Sequence, residues 1–121
     1  MKGKIPEKML AAVLDSLPVE LTLTDAQDRI IAWSEPKTEI FHRRDDILGT
    51  DVRRCHPEKA QDKVEQLLKD FKSGKRDTAV TIVDCTGPDG KPIKVRIEYA
   101  ALQSKSGKYL GCLEACRYAD E

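Results

Sequence analysis

Cys55 and His56 are adjacent, and together they form the most chemically capable pair in the chain. A thiolate or an imidazole is what a haem iron takes as axial ligand. The thiolate is also the nucleophilic and redox-active form of cysteine. The pair follows Arg53 and Arg54 and precedes Pro57, a residue that suits the first turn of a helix. Backbone N–H groups at such an end lack intrahelical partners and carry partial positive charge. The spacing therefore predicts a lowered Cys55 pKa and a site that favours an anion, a thiolate or a ligand's acidic group. A plainer account competes with this one. In it Cys55 packs and His56 closes the first turn beside Pro57, and for His56 that account carries more weight than haem ligation. His42, the other histidine, falls in a charged loop and reads as a solvated side chain.

The remaining cysteines are Cys85, Cys112 and Cys116. No two cysteines form a Cys-x-x-Cys pair, so neither a zinc ribbon nor a thioredoxin motif is written here. Cys112 and Cys116 fall on one strand, roughly 13 Å apart at ~3.3 Å per residue, and cannot chelate one ion together. Buried thiols serving as small hydrophobes account for all three. There is no nucleophile elbow, no phosphate-binding glycine loop and no metal triad, so catalysis is not expected. The basic run Lys69–Arg76 sits at a helix C-terminus, where cations complement the dipole.

The composition narrows the partners. The chain has 121 residues, which is one domain's worth. Apolar residues make up 40% and charged residues 35%, with 21 Lys+Arg against 21 Asp+Glu. A balanced charge argues against a nucleic-acid binder and against a polybasic membrane anchor. No apolar run approaches the ~20 residues of a membrane span, and the start has no signal-peptide stretch. The expected location is the cytoplasm, with all four thiols reduced.

The elements that must position these residues follow from periodicity. Ile5, Met9, Leu10, Val13, Leu14 and Leu17 form one helical stripe between Pro6 and Pro18. Val19, Leu21 and Leu23 then alternate with polar residues, and a polar turn leads to a second short strand, Arg29–Ser34. Pro36 opens an expected helical stretch through Phe41. Val64, Leu67, Leu68 and Phe71 mark a long helix from Pro57 to Phe71, stopped by Ser73-Gly74. Three strands follow as a meander, over 77–85, around Ile93–Tyr99, and over 109–117. The natural solution is an α+β domain: a five-stranded antiparallel sheet with helices on one face and an N-terminal amphipathic helix. The closing strand should lie between the opening strand and the strand around Ile97.

The order and loop positions resemble a PAS domain over residues 18–118. The stretch "LPVELTLTDAQDRIIAWS" resembles its opening hairpin, "ILGTDV" the Leu-Gly step before its long helix, and "GKYLGCLEACRYADE" its closing strand. The run "DVRRCHPEKAQDKVEQLLKDFKSGKRD", with its Cys-His-Pro step, resembles the branch often appended to hemerythrin-like domains in bacteria and archaea. The resemblance implies a non-catalytic sensory and dimerising module with a small ligand or cofactor held under the helices. It names no cofactor. Light-sensing members carry a reactive Cys in a Gly-x-Asn-Cys-Arg motif, where this chain reads Gly49-Thr50-Asp51-Val52-Arg53; Val52 cannot form a flavin adduct. Oxygen-sensing members place a haem-ligating His in mid-helix, where this chain has none; a haem would have to use His56 or Cys55.

On this reading residues 1–17 form a dimerisation and signalling helix, and 18–118 the sensor domain. The expected ligand pocket is lined by Leu21, Leu23, Ile47, Val52, Val64, Leu68, Val95 and Ile97, with Tyr99 as a polar handle and Cys55 and His56 at its mouth. A homodimer is expected through Met9, Val13 and Leu17, with an exposed Trp33 on the strand face opposite Ile30 and Ala32. Two alternatives stand beside this reading: a purely structural dimerisation module with a filled core, and a haem-based gas or redox sensor.

Overall fold

Residues 1–119 are described by a computed structural model. Its first helix, α1 (Glu7–Ser16), buries none of its residues. Met9, Leu10, Val13, Leu14 and Leu17 all stay exposed. A hydrogen bond from the Glu35 N–H to Asp15 Oδ1, 2.9 Å, joins α1 to the segment after the first hairpin.

Strands β1 (Glu20–Asp25) and β2 (Ile30–Trp33) form that hairpin. The Asp25 carboxylate accepts the N–H groups of Gln27 and Arg29 at 2.9 and 3.0 Å, a local closure that short acidic side chains favour in turns. Asp28 adopts φ 65°, in the left-handed region that Asp tolerates better than most residues. The register slips between Leu23 and Thr24. Thr22 therefore pairs with Trp33 and Thr24 with Ile30, which puts Trp33 and Ile30 on the same face. Trp33 is accordingly half-buried and packs against the main core, contrary to the exposed position expected from strict alternation. An extra residue in one strand of a pair shifts the faces beyond it.

The helix expected from Pro36 to Phe41 does not form. The fully buried Glu20 carboxylate instead accepts the N–H groups of Ile40 and Phe41 and pairs with Arg43 at 3.3 Å, holding the segment as an irregular loop. Short 3-10 turns follow at Asp45–Ile47 and Val52–Cys55. The long helix α2 (Glu58–Ser73) buries Val64, Leu67, Leu68 and Phe71 against the sheet. It ends at Gly74, whose φ of 78° lets its N–H reach back to the carbonyls of Asp70 and Phe71.

Strands β3 (Thr78–Thr86), β4 (Pro92–Gln103) and β5 (Tyr109–Tyr118) complete one antiparallel sheet in the order β2-β1-β5-β4-β3. The closing strand thus lies between the opening strand and β4, as the two separated groups of period-two residues require. One core cluster joins Ile30, Val52 and Cys112 to the buried side of α2. A second gathers Ile40, Val95 and Cys116.

Candidate functional site

A cavity of about 20 Å³ lies between α2 and the sheet. That is room for about one water molecule. The sheet contributes Thr22 and Thr24 from β1, Tyr99 from β4, and Cys112 and Glu114 from β5. The other side is apolar apart from His56: Val52 before the helix, then Val64, Leu67 and Leu68 on it. Of the expected lining residues, Val52, His56, Val64, Leu68 and Tyr99 lie here.

Five others do not. Leu21 and Leu23 point to the opposite face of the sheet from Thr22 and Thr24, because alternate strand residues take opposite sides. The threonine face of β1, not the leucine face, meets the helices. Val95 belongs to the second core cluster, with Ile97 packed against it. Ile47 packs at the edge of the first cluster. Thr22, Thr24, Leu67, Cys112 and Glu114 were not expected at the site. Their signal was present in β5, where Cys112, Glu114 and Cys116 sit two apart and must share a face.

The Cys-His pair separates. Cys55 ends a 3-10 turn and is exposed, outside the cavity lining. Its pKa is raised rather than lowered: desolvation pushes it up, and the charge of Glu114 adds to that against the opposing charges of Arg43 and Arg54. Arg53 contributes no relief, since it is held by Asp28, Asp51 and Glu65. The surroundings of Cys55 thus shift its thiol in the direction opposite to the one expected. His56 does not cap α2, whose N-cap, Pro57, makes no side-chain bond. Its Nδ1–H donates to the Val52 carbonyl at 3.1 Å and closes the preceding turn instead. Gln61 Nε2 fixes the same corner by donating to the carbonyls of Arg53 and His56 at 3.2 and 3.3 Å.

Polar groups inside the cavity are shifted by burial. Desolvation, then the Glu114 charge, drives the Tyr99 phenol well above its ordinary range. The Cys112 thiol is pushed up to about 12 by the same two causes, with a contribution from Asp28. The Thr22 Oγ1 is buried without a hydrogen-bond partner. Haem does not fit this arrangement: the cavity is far below the roughly 300 Å³ at which small-molecule pockets begin, His56 is tied to Val52, and Cys55 is not part of the lining. A second, larger cleft of about 280 Å³ lies at the surface under the loop after β2, between Trp33, Phe41 and Arg43.

Sheet order and helix placement define an α+β fold of a single class. A family model described as PAS domain matches residues 10–117, and the chain belongs to that family. PAS domains are typical of sensory signalling proteins and are generally non-catalytic. Among solved structures, a C-terminal domain from Streptococcus mutans aligns with a TM-score of 0.82 at 24% identity, over 98% of this chain and 88% of that one. The PAS domain of BvgS from Bordetella pertussis aligns at 0.71 and 18%, over 94% and 86%. A PAS domain from Colwellia psychrerythraea aligns at 0.68 and 16%, over 93% and 95%. At these identities the likeness is one of fold. Comparison with curated protein sequences gives no match. No helix among the described residues is long and apolar enough to cross a membrane.

Proposed function

We propose that this PAS domain is a sensory module that admits a small polar ligand to the cavity under α2 and reports occupancy through its assembly. The single observation that carries the reading is the Thr22 hydroxyl, 5% exposed and unpartnered at the cavity wall. A buried hydroxyl without a partner costs about 1–3 kcal/mol, a cost that a bound molecule removes. The ligand enters by displacing α2, the roof that supplies Val64, Leu67 and Leu68, and it shifts the population of helix positions by its differential affinity. Residues 1–17 are the output and dimerisation segment, and 18–118 the sensor. The Cys55-His56-Pro57 step supports membership of the branch appended to hemerythrin-like domains.

The cavity's small volume favours a second reading, a filled-core dimerisation module. Native mass spectrometry of the freshly purified chain, set against its denatured mass, separates the two. The sensory reading expects a retained increment that Thr22→Val loses while staying folded. An absorption spectrum of the same sample identifies a coloured cofactor. A native mass equal to the denatured mass, with amide resonances unmoved by a mixture of small polar fragments, assigns the filled-core role.

A further inference from the structure

The cavity's polar wall is one cross-strand row. Glu114 lies directly opposite Thr22 in the β1–β5 register and directly opposite Tyr99 in the β4–β5 register. All three residues line the cavity. Glu114 Oε1 accepts a hydrogen bond from Cys116 Sγ at 3.2 Å. Among the described residues, no Lys, Arg or His nitrogen lies within ion-pair distance of the Glu114 carboxylate. Arg43, whose charge reaches the neighbouring Cys55 and Cys116, is paired with Glu20 at 3.3 Å. Arg43 is thus already engaged by Glu20, and the Glu114 carboxylate has no ion-pair partner among the described residues.

We infer that the cavity takes a water-sized primary ammonium group, its N–H donors directed to the Glu114 carboxylate and the Thr22 hydroxyl. The inference rests on the ligand-binding reading above and names the ligand's chemical class. A neutral water satisfies Thr22 but leaves the half-buried carboxylate without a counter-charge, and an anion is repelled by it. A hard divalent cation requires about six oxygen ligands, whereas the described residues form no cluster of three or more candidate metal ligands. A bulky organic cation exceeds the volume. A primary ammonium supplies three donors to a wall that offers a carboxylate, a hydroxyl and a phenol oxygen. The methyl group of a methylammonium ion lies beyond that one-water volume, on the apolar side, and enters as α2 with Val64, Leu67 and Leu68 is displaced.

The probe is methylammonium chloride, titrated into the full chain while amide resonances are followed. Sodium chloride at matched ionic strength and methanol, similar in size and neutral, are the controls. Saturable shifts at Thr22, Tyr99 and Glu114 are expected with methylammonium and with neither control. In Glu114→Gln the affinity should fall roughly tenfold or more, as expected for losing a charge-assisted hydrogen bond. Thr22→Val provides the second variant, with a smaller fall expected, should Glu114→Gln lose its dispersed spectrum. Equal saturation by the parent and the folded variants, or equal shifts with sodium chloride, overturns the inference. Saturation by methanol alone refutes the charge preference and leaves the ligand-binding reading standing. No response to methylammonium or methanol rejects both.

Discussion

Arg53 Nη2 donates to Asp28 Oδ2 at 3.0 Å, and Lys72 Nζ donates to the same oxygen at 2.6 Å. Asp28 is buried in the β1–β2 turn, Arg53 belongs to the 3-10 turn that carries Val52, and Lys72 is in the last turn of α2. Arg53 also engages Asp51 and Glu65. One guanidinium thus fixes the turn, the cavity's Val52–His56 corner and the helix relative to one another.

Removing it leaves a buried carboxylate with a single, half-exposed partner. Arg53→Met should lose about 2–4 kcal/mol in urea denaturation, below the full cost of an orphaned buried charge because Lys72 remains. Lys72→Met should lose less. An Arg53→Met chain as stable as the parent would show that the network contributes nothing to folding.

The same network sets an acid limit. Desolvation pushes the Asp51 carboxyl up, but the Arg53 N–H, the Arg53 guanidinium and the Lys72 charge outweigh it and hold the pKa below the ordinary value. A depressed carboxyl contributes stability that is present above its unfolded pKa of about 3.9 and is lost as pH falls through the folded value. Denaturation midpoints should therefore fall below about pH 4 in the parent, and less steeply in Asp51→Asn. Identical slopes would remove Asp51 from the account.

Much of this was legible in the sequence. Period-two residues split into two groups around a long amphipathic stretch, which leaves few topologies, and the strand order follows. What was not legible is which face of β1 meets α2. Threonine is compatible with either side of a strand, so "LTLT" folds equally well in both orientations, whereas hydropathy alone points the leucines inward. The slip between Leu23 and Thr24 that turns Trp33 into the core leaves no mark in the residue types. The loop at Ile40 takes its shape from Glu20, twenty residues earlier, a long-range contact that local periodicity does not encode.

Thiol reactivity should be ordered by burial. Cys112 and Cys116 are buried, Cys85 is half-buried and Cys55 is exposed. Desolvation, followed by the Glu114 charge, raises both Cys112 and Cys116, and at pH 8 neither presents appreciable thiolate. An aromatic disulfide reagent should label Cys55 first in the native chain and reach Cys112 and Cys116 only on unfolding, with four free thiols in total. Fast native labelling of Cys112 would show that α2 opens more readily than this packing allows.

Assembly is tested at α1. Met9, Val13 and Leu17 stay exposed among the described residues, and the outer sheet face leaves Ile31, Val80 and Ile82 exposed. Two apolar faces on one molecule favour a closed pair of copies. The parent should sediment as a dimer and Val13→Asp as a monomer. A monomeric parent, or a variant of unchanged mass, removes α1 from the interface.

Gly111 offers the sharpest test of the β1–β5 pairing that builds the cavity's wall. It sits opposite Asp25 in the register, next to the Thr24–Cys112 pair that lines the cavity. A Cβ at this position would lie 2.0 Å from the Thr24 carbonyl oxygen and 3.1 Å from its carbon. Both are backbone atoms of a central strand, so no side chain can swing aside; β1 and β5 would have to separate locally. Strand separation would also disturb the hydrogen bond from Thr24 Oγ1 to the Cys112 carbonyl, 3.3 Å. Gly111→Ala should therefore cost about 2–4 kcal/mol, more than a surface strand substitution does. Gly107→Ala is the control: its φ of 86° strains an added side chain, but its Cβ would meet nothing within 4 Å. The control should lose about 1 kcal/mol. Equal losses in the two variants would mean that backbone conformation, not the close approach of β1, explains the glycine at position 111.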